Sequence, residues 1–176
     1  KNYPKDKDLV YAHYLIAICY FEQLYDERKD LKPLVRAREK FEHILKKYPN
    51  TDYAIDAKWK MGLIVDQMAA KEMYIARYYM KMEKWIAAIN RFKFVVKYYD
   101  TTVYIEEALH RLVEIYYKIG LVEDAQKIAA TLGYNYGSGE WYKNSYRIFN
   151  KSYKTAKITK KKKDSFIREK FKKLFE

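Results

Sequence analysis

The chain has 176 residues, 49% of them apolar and 20 of them tyrosine, with a formal net charge of +13. Five glycines and three prolines are too few for a fold of short strands and turns, so long helices are expected, arranged as one domain or a few stacked repeats. The charge is uneven: residues 140–176 hold thirteen Lys/Arg against four Asp/Glu, which describes a basic tail and excludes a uniformly basic nucleic-acid-binding body.

The opening Tyr3-Pro4 matches Tyr48-Pro49, so the start reads as the tail of a preceding repeat. The chain is then a piece of a longer or processed one, with room for a targeting segment upstream. Residues 8–25 form the first predicted helix, with Val10, Tyr14, Ala17 and Phe21 as its apolar stripe and Ile18 or Cys19 completing it. Cys19 is the one cysteine. It rules out an internal disulfide and, within the run LIAICYF, is expected to be a small core residue. The charged run 26–32 is longer than a tight hairpin turn and reads as an insertion. The partner helix covers residues 33–48, where Pro33 suits a first turn because its missing N–H has no helical acceptor to lose.

Thr51 or Asp52 can cap the next helix. From there to Met82 the sequence holds no proline and one glycine, Gly62. Residues 52–82 are therefore predicted as one helix about 45 Å long, with a join near Gly62 as the alternative. Residues 84–98 are its partner, and residues 103–119 and 121–132 make a last hairpin turned at Gly120. The segment GYNYGSG, residues 133–139, is expected to be a loop, with Ser138 capping a further helix over 139–149. No apolar run reaches the roughly 20 residues of a membrane span.

Residues 151–163 are polar and lysine-rich. Residues 164–175 then set Ile167, Phe171, Leu174 and Phe175 at helical spacing among lysines, a short basic amphipathic helix. The expected organisation is a repeat region, residues 1–137, and a basic C-terminal extension, residues 138–176. About a dozen residues make too short a helix to be stable alone in water, so this stripe needs a cover. The repeats, a second copy or an anionic bilayer would each serve, and the lysines of 160–163 would add roughly 1 kcal/mol apiece near such a bilayer. Packing against protein is favoured, because the stripe is narrow and lacks tryptophan.

Little here asks for chemistry. His13, His43 and His110 are far apart in sequence. Glu106, His110 and Glu114 stand at i, i+4 and i+8 and could face a divalent ion, but an exposed charged stripe is the simpler reading. The glycines of GYNYGSG follow no strand and lack the Lys-Ser/Thr of a phosphate cradle. No nucleophile has a His and carboxylate setting. The expectation is a protein that is not an enzyme and uses no metal or cofactor. Tyr14, Tyr20, Tyr79 and Tyr116 fall at helix-packing positions, so nucleic acid is not an expected partner either.

Small and large residues recur at the spacing antiparallel helices need. Ala76 and Tyr79 precede Ala88, Phe92 and Val95. Ala37, Phe41, Ile44 and Pro49 give an earlier copy of the second pattern. Leu112, Val113 and Tyr116, followed by Ala125, Ala129 and Leu132, give a third. This resembles tetratricopeptide hairpins. The expected fold is all-α, a tetratricopeptide-repeat solenoid of about three antiparallel hairpins with one long helix and a basic C-terminal helical extension. Ala37 to Ala88 spans 51 residues and Ala88 to Ala125 spans 37, against a usual period of about 34, and the long helix absorbs the excess.

Residues 48–136 also resemble the BamD family of the outer-membrane β-barrel assembly machinery. The resemblance lies in YPNTDYAIDAKWKM, IARYYMKMEKWIAAINRFKFVVKYYDTT and EALHRLVEIYYKIGLVEDA, in that order, with Trp85, Asn90 and Arg91 its most specific members. It implies a periplasmic scaffold at the inner face of the outer membrane, lipid-anchored in the full-length precursor. Such a scaffold docks on the POTRA domain of the barrel-forming subunit nearest the membrane and aids insertion of unfolded outer-membrane proteins, alongside accessory lipoproteins. The family's lipid-carrying cysteine and first two repeats would lie upstream. Cys19, inside a helix, is no substitute, and the extension from Trp141 onward has no counterpart in the resemblance.

Arg91 sits three residues after Ala88, beside the buried stripe but not on it, where a guanidinium can reach outward to hold a carboxylate bidentately. An internal salt bridge is the alternative. The resemblance adds that this position faces the barrel-forming subunit, and Asn90, Trp85, Lys84 and Arg77 complete the partner-binding candidates. Two other readings are another tetratricopeptide adaptor of the cell envelope and a nucleic-acid-associated repeat protein working through its basic tail.

Overall fold

The structure, a computed structural model, describes residues 8–23 and 30–150. These form seven helices and no strand: α1 (Asp8–Phe21), α2 (Lys32–Lys47), α3 (Asp52–Lys81), α4 (Trp85–Tyr98), α5 (Ile105–Lys118), α6 (Val122–Tyr136) and α7 (Glu140–Phe149). Each helix packs on the next, pairing α1 with α2, α3 with α4 and α5 with α6, while α7 lies on α5 and α6. The fold is the all-α stack of helical hairpins that the residue spacing predicts.

Local chemistry explains the boundaries. Pro33 stands in the first turn of α2. The Thr51 hydroxyl donates to the Tyr48 carbonyl at 2.8 Å and accepts from the Ala54 N–H at 3.3 Å, closing one hairpin and starting α3. The α3–α4 and α5–α6 turns share one geometry. The Lys84 N–H donates to the Tyr79 carbonyl, and the Leu121 N–H to that of Tyr116, both at 2.9 Å. In each turn the residue before that donor is left-handed, Glu83 at φ 55° and Gly120 at φ 89°.

α3 runs unbroken through Gly62 for 30 residues, and its length links two cores. Leu34, Ala37, Phe41 and Ile44 of α2 meet Val10 and Ala17 of α1 and Ala54, Ala57 and Ile64 from the first half of α3. Met73 and Ala76 from the second half join Ala88, Phe92 and Val95 of α4, Leu112 and Tyr116 of α5, and Ala125 and Ala129 of α6. Ala37, Phe41, Ala76, Ala88, Phe92 and Ala125 are fully buried and Tyr116 nearly so, while Tyr79 packs on the edge of the second core.

Several expectations are corrected. Cys19 is exposed. α1 is apolar on nearly every side, so its pattern does not mark an inner face. Packing chooses Val10 and Ala17, and Cys19, two residues on, is carried about 200° round the helix. GYNYGSG is not a loop throughout, because α6 continues to Tyr136, drawn on by Leu132 and Tyr136 packing with Ile105, Leu109 and Trp141. Gly133 serves a close approach there: a Cβ on it would stand 2.8 Å from the Tyr142 ring. The N-cap of α7 is Gly139, without a side-chain cap, so Ser138 does not cap it. Most of the 26–32 run and the whole stripe of Ile167, Phe171, Leu174 and Phe175 lie outside the described residues.

Candidate docking surface

α4 turns Ala88, Ile89, Phe92 and Val95 inward. Its outer side carries Ile86, Asn90, Phe94 and Tyr98 at i, i+4, i+8 and i+12, with Ile86 69% and Tyr98 55% exposed. The Phe94 ring lies 4.6 Å from Tyr98 and 5.9 Å from Tyr99, and Lys97 Nζ stands 4.9 Å from the Tyr98 centroid. Folding alone would favour charges on such a face, and an aromatic ladder there marks a surface suited to contact.

Arg91 borders this strip. One guanidinium N–H donates to Glu72 Oε2 at 2.9 Å, so the internal pairing raised as the alternative is present. Among the described residues it engages one of five N–H donors. The rest of the guanidinium meets a groove of about 350 Å³ shared with Tyr79, Ala87, Asn90 and Phe94. The Tyr99 hydroxyl is raised in pKa by burial first and by the Glu72 charge second.

The remaining candidates lie elsewhere. Arg77 grips Glu107 through two N–H groups, at 2.9 and 2.5 Å. Trp85 is half-buried under the Lys118 ammonium, 4.4 Å from its ring centroid, and that ammonium lies 3.4 Å from Glu83. Lys84 is the exposed N-cap of α4. Arg77 and Trp85 line a second groove, of about 530 Å³, between the α3–α4 turn and α5. Four of the five residues therefore divide between two grooves, Lys84 lines neither, and the five do not form one cluster.

The network behind Arg77 was not foreseen from the sequence. Arg111 donates to Glu114 at 2.6 Å, and its Nε stands 3.5 Å from Glu107 but is buried without a hydrogen bond. His110, expected on an exposed stripe, is 4% exposed. Its Nδ1 lies 2.8 Å from the buried Ser145 hydroxyl of α7, its Nε2 3.4 Å from Glu114, and its ring 5.2 Å from Trp141. Docking of α7 is what covers it. Burial alone pushes the Glu107 and Glu114 carboxyls up. Hydrogen bonds from Arg77 with the charges of Arg77 and Arg111 on Glu107, and hydrogen bonds and charges from His110 and Arg111 on Glu114, outweigh it and hold both below the usual carboxylate range. The spacing of Glu107, Arg111 and Glu114 at i, i+4 and i+7 was the available signal.

Packing of α1 on α2 also brings together His13 and His43, with ring centroids 5.0 Å apart. His13 is lowered in pKa by burial first and by His43 next. Among the described residues no three His, Cys, Asp or Glu side chains converge as metal ligands would, and no helix is long and apolar enough to cross a membrane.

Stacked antiparallel hairpins, with an aromatic strip along the outer side of α4, define a helical-repeat protein. The family described as YfiO, outer membrane lipoprotein, matches residues 1–132. This chain belongs to that family. The outer membrane protein assembly factor BamD of Caulobacter vibrioides is 45% identical over 148 residues, 84% of this chain and 48% of that protein. Its namesake from Rickettsia prowazekii is 42% identical over 146 residues, 83% of this chain and 58% of that protein. The one from Neisseria meningitidis serogroup A is 33% identical over 143 residues, 73% and 53% of the two. The chain thus spans about half the length of the curated relatives it matches.

Proposed function

We propose that this chain is the docking portion of a non-catalytic scaffold in outer-membrane β-barrel protein assembly. The outer strip of α4 engages the POTRA domain of the barrel-forming subunit nearest the membrane. Accessory lipoproteins and unfolded outer-membrane proteins are its further partners. The scaffold works at the periplasmic face of the outer membrane, tethered by a lipid on the longer protein. The apolar stripe of Ile167, Phe171, Leu174 and Phe175 in the C-terminal extension is covered by protein in preference to a membrane surface. Family membership and the assembly-factor relatives support this reading, and one observation carries it: Arg91 beside an exposed aromatic ladder, with one donor engaged among the described residues.

A carboxylate on the partner would accept from the guanidinium beside Glu72, while an apolar side chain covers Phe94 and Tyr98. The Glu72 pair favours a second reading, in which Arg91 only ties α4 to α3. Calorimetric titration with the isolated POTRA domain separates the two. Docking through Arg91 requires Arg91→Glu to weaken binding at least tenfold, about 1.4 kcal/mol or more, with helicity unchanged. Unchanged affinity together with a lowered melting temperature would favour the structural tie.

A further inference from the structure

We propose that the groove between the α3–α4 turn and α5 is a second, separate docking site, and that its occupant is an acidic peptide segment bearing one large apolar side chain. The inference does not depend on the role of Arg91. The groove has a volume of about 530 Å³ and an apolar floor of Met80, Trp85 and Ile115. That volume lies within the range of sites that enclose a ligand group. Four cations rim it, Arg77, Lys81, Arg111 and Lys118, against Glu83 and Glu114 on the rim and Glu107 behind Arg77 and Arg111, a surplus of one positive charge. Lys81, in the last turn of α3, makes no ion pair among the described residues. The rim therefore favours negative charge, and the floor favours an aliphatic or aromatic group.

Glu83 points to the same occupant independently. It is left-handed at φ 55° in a turn whose counterpart in the next hairpin is Gly120, so a glycine would suit the backbone better. The glutamate instead places its carboxylate 3.4 Å from Lys118 Nζ, and that ammonium stands over the Trp85 ring at 4.4 Å. A strained residue that supplies a charge at the lip of a groove is a functional signature. Glu83 acts as an internal stand-in for an incoming carboxylate. When a partner's acidic residue takes Lys118, the ammonium leaves the Trp85 face and the apolar side chain occupies it.

Fluorescence anisotropy with a fluorescein-labelled peptide, GEDFEDG, and its basic counterpart, GKKFKKG, tests the site on the full chain. The acidic peptide is expected to bind, more tightly at low salt, while the basic one does not. Lys81→Glu and Lys118→Glu should each weaken binding by roughly fivefold or more, and Glu83→Gln should tighten it about threefold by removing the competitor. Lys46→Glu, a remote surface control, should change it less than about twofold, as should Arg91→Glu. The proposal is overturned if the acidic peptide fails to bind or the basic one binds equally. It also falls if Lys46→Glu or Arg91→Glu costs as much as Lys81→Glu, or if Glu83→Gln weakens the complex. Arg91→Glu impairs only POTRA binding under the function proposed above, so the two readings fail separately.

Discussion

Replacing Glu107 with glutamine tests the buried charge network that joins α3 to α5. Glu107 is 9% exposed and accepts two charge-assisted hydrogen bonds from Arg77, each worth about 1.5–3 kcal/mol when fully sheltered. Glutamine keeps the volume and one neutral acceptor. The Arg77 side chain is 43% exposed, so water replaces part of what is lost and roughly halves the cost. Arg111 keeps its bond to Glu114. A destabilisation of about 2 kcal/mol follows, a melting-temperature drop of about 4–8 °C for a chain of this size. The pH dependence is the sharper check. The folded pKa of Glu107 is depressed, so its contribution is fully present above the unfolded carboxylate value of about 4.3 and fades as pH falls through the lower folded value. Urea titrations of both proteins should differ at neutral pH and converge in acid. A gap below about 0.5 kcal/mol at pH 7, or one that does not narrow as the pH is lowered below about 4.3, would refute this account of the network.

Gly62 is exposed in mid-helix with nothing within 4 Å of an added Cβ, so Gly62→Ala should stabilise the chain by about 1 kcal/mol, read as a higher urea midpoint. Gly120 also has open space around it but sits at φ 89°, so Gly120→Ala should cost about 1 kcal/mol by the same measurement. Phe92 is fully buried at the centre of the second core, and Phe92→Ala should cost about 3–5 kcal/mol, visible in thermal melts followed by circular dichroism.

The length of α3 was readable because a helix needs only local permission: a capping threonine, no proline, and a glycine that an exposed turn tolerates. The small-large alternation at Ala88 and Phe92 likewise implies helices close enough to need it, wherever the partner lies. Where several faces of one helix are apolar, as on α1, the sequence leaves its orientation open. Contact with α2 and α3 selected Ala17 over Cys19, since burial depends on what stands opposite. His110 shows the same limit: its exposure depends on Ser145 and Trp141, more than thirty residues away and on a helix whose docking no periodicity announces. For the candidate site, residue order and helical spacing alone set which residue types lie near the α3–α4 turn and along α4. That Arg91 shares one groove with Asn90 while Arg77 and Trp85 belong to another follows from the packing of α3, α4 and α5, because the groove walls come from helices that meet only on folding.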